Sequence, residues 1–431
     1  MMSLATEPAA TIALDDDEPV AALVADLQEA RAGLQAWPAD RFRGRVEALR
    51  ADLDRCAMAD FVGELIDGSG APDISAAAID LDGDESTRLS TYARWRELAN
   101  RRLPELWDWL GSAGARGAAA STWWSRDITL ALDPETSERL RCVAAPLRPI
   151  GKLARAWGGR LGLRNATAEH NWRWLALGRG LDVAVPPFPT LMEGLVAAFR
   201  DRGLLPPEHR VQVIRRPRMP SLVVPVRVPG RSLLSVPVPS PATPLSPQYF
   251  QHELGHLAEH ALRPAGAPLY ERWRFDPVRS EGWALLFERI MRLHPRWLGS
   301  LGFASEDAAR LVSFYCEEDE FTEGLIAADL ALGARLSTVA TVEQARDAAA
   351  EIAAELEIEW APEIMLFRQP AMLNWRSYVA AWTWRDAAIE ILEQRFGPAW
   401  VEQAATWSAI RSSLGTVGSA AAALRGLASD E

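Results

Sequence analysis

Apolar residues recur at threes and fours along most of this chain, with polar residues between them. That spacing gives each segment one apolar stripe, the pattern of an amphipathic helix. Between Pro19 and about Pro207, VAALVADLQEARAGLQAW and RFRGRVEALRADLDRCAMADFVGELI carry it, and further helices are predicted over 86–103, 137–157, 167–178 and 189–203. The same spacing predicts helices over 246–262, 277–293, 304–335, 342–357, 372–396 and 398–412, broken at Pro264, Pro295 and Gly397-Pro398.

One window departs from the pattern. From about residue 209, VQVIRRPRMPSLVVPVRVPGRSLLSVPVPSPATPLSP substitutes valine-rich pieces punctuated by proline. A proline-rich linker and a small sheet both fit such a texture. Its place directly before the helix at 246 favours the sheet, with VQVI, LVVPVRV and SLLSVPV as strands and the prolines at edges or unpaired positions. An exposed edge there can bind an extended peptide as an added strand. The predicted fold class is mostly α, an elongated helical protein with a small β-sheet insert.

The expected organisation has a solvated acidic tail over 1–18, a helical region over 19–208 and a second region over 209–431. The second region divides into the sheet (209–245), two helices (246–293) and the C-terminal helices (294–431). No internal repeat is present. With 48% hydrophobic and 24% charged residues, the chain has the balance of a soluble globular protein. No apolar run approaches the roughly 20 residues that span a bilayer, and the N-terminus lacks a basic leader, so the expected compartment is the cytoplasm. A net charge of −12 disfavours nucleic acid and anionic membrane as partners. Cys56, Cys142 and Cys316 have no paired spacing and are expected to be reduced and structural. The acidic run Glu317–Glu320 is expected to be a solvated helix face.

The chemistry concentrates in QHELGHLAEH, residues 251–260, which holds three of the six histidines. His252 and His256 stand four apart, so on a helix they face the same way about 6 Å apart along the axis and can grip one metal ion. Glu253 is rotated about 100° from His252, close enough to take a proton from a water on the ion without ligating it. His260 lies about 12 Å along the axis from His252, too far to join the same ion without a break in the helix. It is expected to be a neutral packing or supporting histidine.

Glu281 is the expected third ligand, 25 residues beyond His256 in a predicted helix with Asp276 as N-cap and Pro277 at the first position. Gly282 beside it is expected to let this helix approach the histidine helix closely. Glu288, on the same face, is a candidate acceptor for a ligating histidine. Two imidazoles and one carboxylate leave one open position, the geometry of catalytic rather than structural zinc. Amide hydrolysis is the natural reaction, so Zn2+ is the expected cofactor and a peptide the expected substrate.

HELGHLAEH followed by SEGWALLFE resembles the helical gluzincin metallopeptidases, which include the carboxypeptidase Taq, thimet-oligopeptidase and angiotensin-converting-enzyme types. EGWALLFE is especially similar to a group of bacterial helical zincins with an EGWALY signature. That group also has a valine- and proline-bearing strand segment before its HExxH helix and a later Pro-x-x-Ala-x-x-Tyr helix, matched here by QPAMLNWRSYVAAW. The resemblance covers about residues 209–412. It implies His252, His256 and Glu281 as zinc ligands, Glu253 as the base, and Tyr378 as the phenol that hydrogen-bonds the oxyanion. Tyr249, Tyr270 and Tyr315 are alternatives for that last role.

Two departures stand out: Leu286 replaces the signature's tyrosine, and no histidine follows His294. Arg376 and Arg385 are candidates to pair a substrate carboxylate or, more simply, to form salt bridges. Trp375, Trp382 and Trp384 are expected in the core rather than in a substrate channel. The expected activity is a carboxypeptidase or oligopeptidase acting on short or unfolded peptides. A dedicated maturation or tailoring hydrolase and a catalytically silent helical binding protein remain open alternatives, as does the oligomeric state.

Overall fold

The computed structural model describes residues 147–160, 181–217, 222–238, 243–267, 272, 276–336, 338–368 and 372–429, together with part of 86–108. The predicted tail, the helix at 167–178, Cys56 and Cys142 lie outside these residues. The described residues between 86 and 108 are helical. The next helix, α1, is Gly151–Arg160; the expected helix over 137–157 is overturned at residues 147–150, which are non-helical around Pro149, and its part at 137–146 lies outside the described residues. α2 is Phe188–Asp201.

The valine-rich window is a three-stranded sheet, β1 (Arg210–Pro217), β2 (Leu222–Arg227) and β3 (Arg231–Val238), in the order β1-β3-β2. β1 runs parallel to β3 and β2 antiparallel to it. His209 anchors the start of the sheet: the Gly230 N–H donates to its Nδ1 at 3.2 Å, and its Nε2 lies 3.1 Å from Ser232 Oγ.

The remaining chain is helical, as predicted. α3 is Ser246–Ala261, α4 Pro277–Leu293, α5 Pro295–Ser300, α6 Ser305–Leu336, α7 Val342–Glu355, α8 Pro362–Arg368 and α9 Met372–Phe396. A 3-10 turn at Trp400–Glu402 separates α9 from α10 (Ala404–Gly415), and α11 is Ala420–Ala428. The sequence reading merged that turn with α10 and did not identify α8 or α11.

α4 is the central element, packed on one side against α3 and on another against α9. Two glycines set those approaches. A Cβ on Gly255 would lie 2.7 Å from Ala284 Cα, so the backbones of α3 and α4 meet there. A Cβ on Gly282 would lie 2.5 Å from the Trp384 ring, so Gly282 admits α9 and not the histidine helix. This corrects the expected role of Gly282. Trp283, Trp384, Phe287 and Leu286 are fully buried around this crossing, and the Trp384 indole N–H donates to the Ala420 carbonyl at 2.8 Å. Leu286 thus occupies the core, where its apolar side chain is in place.

Candidate metal centre

α4 begins as its sequence predicts. Asp276 accepts a hydrogen bond from the Arg279 N–H at 3.2 Å, and Pro277 follows at the first position. The cap fixes the helix start and hence the direction of Glu281 in its second turn. Arg279, buried beside it, donates to the carbonyls of Leu414 and Gly418 and pairs with Glu259 at 3.1 Å. The C-terminal helices therefore tie down the turn that carries Glu281.

Across the α3–α4 crossing, three donor groups converge. Glu281 Oε2 lies 3.5 Å from His252 Nε2 and 3.8 Å from His256 Nε2. Donors each ~2.0–2.1 Å from one tetrahedral zinc stand ~3.3 Å apart, so this spacing accommodates a single ion. Each imidazole is also held from behind. His252 Nδ1 lies 3.0 Å from Glu288 Oε2, and His256 Nδ1 lies 2.9 Å from Ser280 Oγ. An Nδ1–H donated to such a partner leaves the Nε2 lone pair free toward Glu281. Among the described residues, Glu281 Oε2 is buried without a hydrogen-bond partner, an arrangement that costs free energy unless a cation meets it. The residues present therefore fit a divalent cation.

The charges gathered at the crossing shift each group in a definite direction. Burial pushes the Glu281 carboxyl up, but His256, His252 and the Tyr378 hydroxyl outweigh it and hold Glu281 below the usual carboxylate range. Burial lowers His252, but Glu281 and Glu288 more than reverse this and raise it well above an ordinary histidine. Glu253 has the opposite balance: burial raises its carboxyl, against His252, His256 and a hydrogen bond accepted from the Val223 N–H. A carboxylate held above its ordinary value is a better proton acceptor.

Tyr378 reaches the centre from α9 and hydrogen-bonds Glu281. Burial, with the charges of Glu281 and Glu253, holds its phenol well above the ordinary value, so it remains a donor at neutral pH. Among the other tyrosines, Tyr315 is fully buried and donates to the Pro244 carbonyl at 2.8 Å, and Tyr249 is 48% exposed. Tyr270 lies outside the described residues. Tyr378 is therefore the phenol at the centre among the described residues.

The acidic run corrects an expectation. Glu318 and Asp319 face inward, their side chains only 12% and 14% exposed, against the expected solvated face. Arg292 pairs with Glu288 at 2.8 Å and with Asp319, while Arg289 meets Asp319 at 2.6 Å. Gln248 bridges Glu288 and Glu318 at 2.5 and 3.3 Å. Glu288, Glu318 and Asp319 lie close enough to hold an ion, but guanidinium groups already meet them. The network instead backs Glu288 behind His252.

His260 is half-buried, and burial lowers it to about 4, so it is neutral as expected. Arg385 is buried and bonds Asp386 at 2.8 Å and Glu323 at 3.5 Å, the salt-bridged outcome. The side chains of Arg376 and Trp375 lie outside the described residues. Cys316 is exposed rather than structural. Ser280, Val223, Gln248 and Arg292 escaped the sequence reading. Only Arg292, four residues after Glu288, left a signal in the helical charge spacing.

No protein-family model and no curated protein matches the sequence. The chain is similar to the crystal structure of an M32 carboxypeptidase from Deinococcus radiodurans R1, covering 91% of this chain and 89% of that one. The TM-score is 0.49 and the identity 14%. Among the described residues, no helix is long and apolar enough to cross a membrane.

Proposed function

We propose that this chain is a zinc-dependent metallopeptidase of the gluzincin type, hydrolysing short or unfolded peptides. The observation that carries the reading is the convergence of His252 Nε2, His256 Nε2 and Glu281 Oε2, with both Nδ1 atoms held from behind. Two imidazoles and one carboxylate suit zinc and leave a position open. When bound, zinc supplies Lewis-acid activation of water and of the scissile carbonyl.

The protein's own groups do the rest. Glu253 accepts a proton from the attacking water and delivers it to the leaving amine; its raised carboxyl suits both transfers. The Tyr378 hydroxyl donates to the oxygen that gains charge as the carbonyl is attacked. Glu288 and Ser280 keep the two imidazoles in the required tautomer and orientation.

The test is metal analysis of wild-type protein, His256→Ala and Glu253→Gln, combined with a peptide-library assay. Stoichiometric zinc is expected in wild type and Glu253→Gln and is expected to be lost in His256→Ala. Cleavage is expected from wild type alone. Wild-type protein unable to bind added zinc overturns the reading.

A further inference from the structure

Asp276 caps two helices. Its Oδ1 accepts the Arg279 N–H at the start of α4, and its Oδ2 accepts the Ala420 N–H at 3.1 Å. Ala420 opens α11, whose N-cap residue Ser419 makes no side-chain cap bond among the described residues. A helix start leaves its first N–H groups without partners in the helix, so one carboxylate here serves two such starts. Arg279, three residues on, serves a helix end. Its Nη2 donates at 2.8 Å to the Leu414 carbonyl in the last turn of α10, and its Nη1 donates at 3.2 Å to the Gly418 carbonyl. Its Nε faces Glu259 Oε1 at 3.1 Å.

The corner between α10 and α11 is therefore held by the turn that leads into Ser280 and Glu281. Glu259 stands three residues after His256, so the Arg279 guanidinium joins α3, which carries the histidines, to α4 and to this corner. Ala420 extends the link through its carbonyl, which accepts the indole N–H of Trp384 on α9, six residues beyond Tyr378. Every helix that brings a group to the metal centre is thus tied to residues 414–420. The Arg279 and Glu259 side chains are 3% and 1% exposed, so water cannot replace these bonds when one is lost.

We propose that Arg279 and Asp276 are positioning residues for the metal centre, and that the corner at 414–420 sets Glu281 against His252, His256 and Tyr378. Zinc affinity and the docking of α10 and α11 then rise and fall together, by the reciprocity of any coupling between two sites. This rests on the zinc site of the metallopeptidase reading and adds the part of the fold that controls it.

The experiment measures zinc affinity by chelator competition for wild type, Arg279→Lys, Asp276→Asn and Ile352→Ala. Lysine keeps a charge opposite Glu259, but one ammonium cannot cover the places that three guanidinium nitrogens hold. Asparagine offers one acceptor oxygen, so it meets the Arg279 N–H or the Ala420 N–H but not both. Each of these two variants is expected to bind zinc at least about 5-fold more weakly. Ile352 is buried on α7, which packs chiefly against α6 and α8, so its truncation lowers stability and is expected to leave zinc affinity within about 2-fold. On unaltered protein, zinc is expected to slow hydrogen exchange at residues 414–424 at least about 5-fold more than at α7. That comparison decides alone if the variants do not fold. Wild-type zinc affinity in either folded variant, a loss no larger than in Ile352→Ala, or zinc protection at 414–424 no greater than at α7 overturns this inference and leaves the metallopeptidase reading standing. Wild type that binds no zinc overturns both, and wild type that binds zinc but cleaves no peptide overturns the peptidase reading alone.

Discussion

Glu288 Oε2 lies 3.0 Å from His252 Nδ1, while the other oxygen of Glu288 is held by Arg292 at 2.8 Å and by Gln248. The carboxylate is therefore fixed from behind before it fixes the imidazole. Glu288→Gln keeps the shape but removes the charge, and is expected to lower metal affinity by about 10- to 100-fold. Competition with a chelator of known affinity measures this, and unchanged affinity would show that His252 is oriented by its helix alone.

Glu253→Gln leaves all three proposed ligands in place. Turnover is expected to fall by on the order of 10²- to 10⁴-fold at unchanged zinc content. Paired metal analysis and steady-state kinetics on one preparation distinguish loss of the base from loss of the ion.

Tyr378→Phe removes one hydroxyl and little volume. If that hydroxyl stabilises the oxyanion, kcat is expected to drop by about 10²- to 10³-fold, with a small change in KM. A change confined to KM would instead assign Tyr378 to substrate binding.

Gly255→Ala tests the helix crossing, since the new Cβ would lie 2.7 Å from Ala284 Cα and backbone cannot turn aside. The expected cost is about 1–3 kcal/mol of stability. Zinc affinity should fall as well, because the imidazoles and Glu281 lie on the two helices being pushed apart. Denaturant unfolding of apo-protein and a zinc titration report the two effects separately.

Burial lowers the buried His209 to about 4 despite the opposing charge of Glu208, and its Nδ1 accepts the Gly230 N–H. The unfolded chain, with a histidine value of about 6.5, binds this proton more readily than the folded one. Its contribution is complete above about pH 6.5, falls as pH drops through the window, and changes no further below about 4. Up to about 3 kcal/mol is at stake. Denaturant unfolding of His209→Gln and wild type across that range should show a steeper acid loss in wild type, and parallel curves would remove His209 as the cause.

Much of this fold is carried by local signals. Three-and-four spacing located α3, α4, α6, α7 and α9 to within a few residues, and Asp276-Pro277 specified where α4 starts because capping is a local matter. The histidine pair His252 and His256 was legible for the same reason, since positions four apart on a helix share a face, whereas Glu281 stands on another helix and needed the capped start of α4 and the family resemblance. The valine-rich window is a sheet rather than a linker, with Pro217 and Pro225 on the outer strands β1 and β2, but Pro237 lies in the central strand β3 opposite Arg216, against the expectation that the prolines keep to edges or unpaired positions. Helices α8 and α11 are too short for periodicity to separate from loop.

What only the tertiary structure decided are the relations between elements. Gly255, not Gly282, turned out to set the α3–α4 approach, because a small residue announces a close contact without naming its partner. Glu318 and Asp319 looked solvated in the sequence, yet face inward because Arg289 and Arg292 on another helix compensate their charge. Ser280 and the Val223 N–H carry no pattern at all. A hydroxyl or a backbone amide gains a role only from what packs against it, and that is determined by how helices and strand meet in space.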